Sequence, residues 1–115
     1  MIIITITGSK SDGTLELSDR GESNVNNGEE VQWHIANNSG VDSITSIGMK
    51  PSKPAEPSTD IFSDPPHQLG NSRNWKGTVS ETAADGEEYI YYIKWLAKDG
   101  SGEHTFDPKL KVNSK

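Results

Sequence analysis

Tyr89-Ile90-Tyr91-Tyr92-Ile93-Lys94-Trp95-Leu96-Ala97 is the stretch on which the fold is read. Tyr89, Tyr91, Ile93 and Trp95 fall on alternate positions. Lys94 lies between two of them and marks the opposite face as wet. Period two with dense aromatic and β-branched residues predicts a strand with one face in a core. Asp85-Gly86 before it and Asp99-Gly100-Ser101-Gly102 after it are turn signals. Beyond the second turn, Asp107-Pro108 introduces a closing strand around Leu110 and Val112, and proline suits a strand's beginning.

The same period runs upstream. Ile2 to Thr7 alternates, Leu15 and Leu17 flank Glu16, and Val31, Trp33 and Ile35 alternate with Gln32, His34 and Ala36. Asp19 to Gly28 reads as polar loop, and Asn37-Asn38-Ser39-Gly40 as a turn. Ser43 to Met49 is a strand only if it is irregular, since Ile44 and Ile47 are three apart; a bulge near Ser46 reconciles them. Trp75 to Val79 is a further short strand. Seven or eight short strands without a convincing helix predict an all-β fold, a Greek-key β-sandwich occupying residues 1–115 as one domain. The expected core is Ile2, Ile4, Ile6, Leu15, Leu17, Val31, Trp33, Ile35, Tyr91, Ile93, Trp95, Leu110 and Val112.

Composition narrows the function. Only 30% of the 115 residues are hydrophobic and the mean hydropathy is -0.71, so the surface is very polar. A formal charge of -6 with scattered basic residues argues against nucleic acid and against an anionic membrane surface. There is no cysteine, which excludes disulfides, thiolate metal sites and cysteine nucleophiles. Met1-Ile2-Ile3-Ile4 is too short for a signal core, so the expected location is cytoplasmic, with a secreted or periplasmic mature form as the alternative.

Gly28-Glu29-Glu30-Val31-Gln32-Trp33, followed by Asn37-Asn38, resembles the cupredoxin phrase of a turn glycine, a Val-x-Trp strand and then Asn. Tyr89-x-Tyr91-x-Ile93 is similar to the late cupredoxin strand, and Leu110-x-Val112 to the closing one. The likeness implies a cupredoxin-like sandwich; an immunoglobulin-like one is the alternative. It also implies missing copper ligands: Ile93 stands where the family carries cysteine, the next ligand position falls near Leu96, and the upstream histidine position near Asp42 or Ser43. Electron transfer is therefore not expected, and no cofactor is.

Pro51 to Asn74 is expected to be a long loop, with room for one helical turn at Thr59 to Phe62. It holds five of the six prolines. Long irregular segments in small domains are usually functional, and proline lowers the ordering cost of presenting side chains. The leading expectation is a non-catalytic protein-interaction module that binds through Ile61, Phe62, Pro65, Pro66 and His67, with Trp75 alongside. The competing reading has this segment covering one end of the sandwich. A second expectation is a copper- or zinc-handling protein using His67 and His104 with carboxylates. A third is carbohydrate binding on an exposed tryptophan, for which Trp75 is the candidate because Trp33 and Trp95 read as core. A fourth is assembly through an edge strand at Ile2 to Thr7. His34 reads as solvated. Asp99 to Glu103 reads as a plain turn, being shorter than a calcium loop. Ser9, Ser39, Ser63 and Ser101 have no nucleophile elbow and no histidine at a recurrent spacing, so an enzyme is not expected.

Overall fold

The computed structural model describes residues 1–51, 54 and 58–112. Among the described residues there are ten strands: β1 (Ile2–Ser9), β2 (Leu15–Leu17), β3 (Glu22–Val25), β4 (Glu30–Ile35), β5 (Val41–Met49), β6 (Phe62–Gln68), β7 (Trp75–Val79), β8 (Glu88–Ala97), β9 (Glu103–Phe106) and β10 (Lys109–Val112). They form a β-sandwich with no helix among the described residues. The first sheet has the order β2-β1-β4-β7-β6 and the second β3-β10-β8-β5, with β9 beside the distal half of β8. Both sheets are mixed, because β1 runs parallel to β4 and β10 parallel to β3.

Alternation decides which faces meet. Ile4 and Ile6 of β1, Val31 and Trp33 of β4, and Tyr89, Tyr91, Ile93 and Trp95 of β8 all point inward and are at most 2% exposed. Ile2 and Ile35, expected in the core, pack against its rim instead. Val25, Val41, Ile44, Ile47, Ile61, Phe62, Val79 and Ala83 complete it. An aromatic cluster lies at its centre: Phe62 packs edge-on against Tyr89 at 4.9 Å between centroids, and Trp33 meets Tyr91 at 5.8 Å. The Trp33 Nε1–H donates to Tyr91 Oη at 3.2 Å, satisfying a buried indole.

β5 carries the bulge that its sequence demands. Ile44 pairs with Trp95 and Ser46 with Lys94, so Thr45 is the extra residue and both Ile44 and Ile47 reach the core.

Three strands are absent from the periodicity. β3 buries only Val25, β9 buries nothing fully, and β6 contains Pro65-Pro66. β6 corrects the expected loop over 51–74, of which residues 52, 53 and 55–57 lie outside the described residues. Proline cannot donate to a ladder, but β6 is an edge strand paired only with β7, and its two register shifts leave the prolines off the ladder. The helical turn expected at Thr59 to Phe62 is also absent. Thr59 N–H donates instead to the Glu88 carbonyl at 2.8 Å, and the Ser58 hydroxyl bridges to Ile90, so this segment lies along β8. Ile2 to Thr7 is an edge over part of its length: β4 pairs along Ile2–Ile6 on one side, while β2 covers the other side only along Ile6–Ser9.

Candidate functional site

The six residues expected to form a contact surface divide by exposure. Ile61 is 1% and Phe62 7% exposed, so both are core residues and neither is available to a partner. Phe62 ends up inside because it opens β6 opposite Val79, which also faces inward. Pro65 and His67 are exposed and Pro66 half-buried. Trp75 is half-buried at the start of β7, between Trp33 of β4 and Gln68 of β6, and it packs on the rim of the core.

The buried pair therefore anchors a segment whose next residues protrude. Asp60 Oδ1 accepts from the Phe62 N–H at 3.1 Å and fixes the entry into β6. His67 Nδ1 lies 2.9 Å from the Pro65 carbonyl oxygen and 3.7 Å from Asp64 Oδ1, so the ring is folded back along its own strand. The far end is held by Arg73, whose Nε and Nη2 donate to the carbonyls of Asp42 and Val41 at 2.8 and 2.6 Å. This clasp joins the β6–β7 turn to the beginning of β5, across the two sheets.

The histidines do not gather. His67 sits on the edge of the first sheet and His104 on β9 of the second. His34 faces outward from β4 and its Nε2 lies 2.8 Å from Gln32 Oε1. Among the described residues, no group of three or more His, Cys, Asp or Glu side chains could hold a metal ion. Of the positions that correspond to copper ligands in the resemblance, Ile93 is fully buried and Leu96 half-buried.

A second region lies where three turns meet, β1–β2, β4–β5 and β8–β9. There Lys10, Ser11, Trp95, Asp99, Ser101 and His104 are among the residues lining a cavity of about 130 Å³. Trp95 forms its floor, and its Nε1–H donates to the Gly13 carbonyl at 3.2 Å. The His104 ring lies over Trp95 at 4.7 Å and 32°, which follows from their direct pairing across β8 and β9. Gly13 has a φ of 97°, and a Cβ there would lie 3.3 Å from the His104 Cβ, so glycine is needed both for the turn and for the close approach.

Ser101 Oγ lies 2.9 Å from His104 Nε2, a pairing that chain spacing had not suggested. The missing signal was the register of β9, which swings His104 back over the Gly100-Ser101-Gly102 turn. The distance is that of a nucleophile and its base. The Ser101 N–H is donated to Asp99 Oδ1 at 2.8 Å and cannot serve an oxyanion. His104 Nδ1 is turned towards Gly13, which has no side chain to orient it. The same Ser101 amide holds the Asp99 carboxyl below its usual value, as the Thr14 amide does for Asp12 in the β1–β2 turn.

The polar trough over β3, β10 and β8 is occupied by its own ion pairs. Lys109 reaches Glu88 at 3.1 Å and Glu22 at 3.6 Å, and Glu88 foremost raises the lysine's pKa. No protein-family model matches the chain, and no curated protein matches it.

Proposed function

We propose that this chain is a non-catalytic protein-interaction domain on a cupredoxin-like sandwich, and that its contact surface is the protruding part of β6. The observation that carries this reading is the union of a rigid base and an exposed tip. Ile61 and Phe62 are fixed in the core, and Pro65, Pro66 and His67 follow within five residues of Phe62 on the outside. A segment already ordered by its anchors and prolines loses little conformational freedom when bound.

The prolines also determine the mode of contact. Pro65 and Pro66 offer carbonyls but no N–H, so a partner cannot simply add a strand to this edge. Recognition would use the side chains: two pyrrolidine rings, the imidazole and the accessible part of Trp75. Such a surface suits a partner with a shallow aromatic groove. The architectural part of the proposal is supported by the two parallel strand pairs, which depart from the wholly antiparallel sheets of the immunoglobulin alternative.

The test is a pull-down with the intact domain beside a Pro65→Ser, Pro66→Ser, His67→Ala variant, both first shown to unfold cooperatively. A partner retained only by the intact domain supports the proposal. A partner retained equally by both removes the surface from β6.

A further inference from the structure

The cavity among the three turns is distinct from the β6 surface; within it Asp99 Oδ1 accepts from the Ser101 N–H and Ser101 Oγ meets His104 Nε2, which leaves Asp99 Oδ2 and the remaining capacity of the Ser101 hydroxyl for a ligand. Lys10, Ser11, Asp99 and Ser101 are all exposed turn residues, whereas the floor beneath them is rigid. Trp95 is 1% exposed and tied to the Gly13 carbonyl, and His104 covers its ring. Glycines at positive φ shape the surrounding turns: Gly13, Gly40, Gly100 and Gly102.

The chemistry of the lining selects a class of ligand. Lys10 brings a positive charge and Asp99 a negative one, so neither an anion nor a cation is favoured by charge alone. An apolar ligand would strip water from hydroxyl, carboxylate, amine and imidazole groups without replacing their hydrogen bonds. A neutral polyol replaces them, because each of its hydroxyls both donates and accepts. Asp99 can only accept and Lys10 can only donate, while the Ser11 and Ser101 hydroxyls do either. The cavity volume of about 130 Å³ is well above what one ordered water needs, enough to take part of one sugar ring and leave the remainder in solvent.

We infer that the turn cavity is a binding site for the vicinal hydroxyls of a single sugar residue, held between Asp99, Ser101 and Lys10 above the Trp95–His104 floor. It would be a second site, independent of the protein contact on β6.

The experiment is a titration of the whole labelled chain with D-glucose, D-galactose, D-mannose and N-acetyl-D-glucosamine separately, followed by ¹H–¹⁵N spectra at millimolar sugar. The indole N–H of Trp95 reports on the site, and that of Trp33, bonded to Tyr91 in the core, is the internal control. At least one sugar is expected to shift the Trp95 indole and the Ser101 amide saturably while the Trp33 indole stays still. Asp99→Asn and, separately, Lys10→Met should each weaken that sugar at least tenfold, with an unchanged unfolding midpoint for Lys10→Met and with the Asn amide oxygen still accepting the Ser101 N–H in Asp99→Asn. Pro65→Ser should leave it unaltered, which separates this inference from the proposal for β6. Absence of a saturable shift with all four sugars overturns the inference. So does a shift that Trp33 shares, or one that survives both substitutions.

Discussion

Phe62 is held from three directions: edge-on by Tyr89, tilted by Trp33 at 6.3 Å, and from below by the bare backbone of Gly77. A Cβ on Gly77 would come within 2.9 Å of the Phe62 ring. Two predictions belong to this contact. Phe62→Ala should lower unfolding free energy by about 3–5 kcal/mol in urea, the usual cost of emptying an aromatic core site. Gly77→Ala should cost about 1–3 kcal/mol through overpacking, and the double variant should cost less than the sum, because the shortened side chain makes room for the methyl. Strict additivity would mean that the two residues do not share this space. The sequence could not assign Phe62 to the core. Its neighbours Ser63, Asp64 and two prolines erase the alternation that identified Trp33 and Tyr91, and only its pairing with β7 turns it inward.

Among the elements, the edges are protected unequally. β6 has prolines and two register shifts, and β5 has bulges at Asp42 and Thr45 together with the Arg73 clasp. These devices block pairing with another chain. Replacing Pro65 and Pro66 with threonine should therefore increase self-association at high concentration, seen as a rising mass in light scattering, with little change in unfolding midpoint. Arg73→Ala should expose the Val41 and Asp42 carbonyls and make amide exchange faster at the beginning of β5 than at its end. The bulge at Thr45 was legible because two isoleucines three apart must both be buried. β3, β6 and β9 were not, since an edge or half-paired strand buries one residue or none and so leaves no periodic trace. The turn cavity was hidden for a related reason. Its residues come from turns near positions 10, 40 and 100, and only the sheet registers bring them together.

For the whole molecule, the response to pH follows from groups buried or hydrogen-bonded in the native state. Burial pushes the Tyr89 and Tyr91 hydroxyls well above their ordinary value of 10.0. A raised native pKa leaves stability fully present below the unfolded value and removes it as pH climbs towards the native one. Alkaline unfolding should thus begin above about pH 10, and phenolate absorbance from two of the three tyrosines should appear only with loss of tertiary signal. At the acid end, Asp12, Asp99 and Glu30 are held below their ordinary values of 3.8, 3.8 and 4.5 by Thr14, Ser101 and Gln32 respectively. Their contribution is present above those values and is lost as pH falls through the lowered ones. These carboxylates are solvent-exposed, so the acid limb should be shallow beside the alkaline one.

The parallel pairing of β10 with β3 has a consequence for how the chain is made. β3 is complete by residue 25, yet its ladder partner begins at Lys109. During synthesis, Glu22–Val25 must wait as an unpaired strand while the rest of the domain emerges. The first sheet is better placed, since all of its strands are present once Val79 has left the ribosome. The native state is then closed by its last strand, a late event and a slow one, because pairing distant segments requires a long loop to close first.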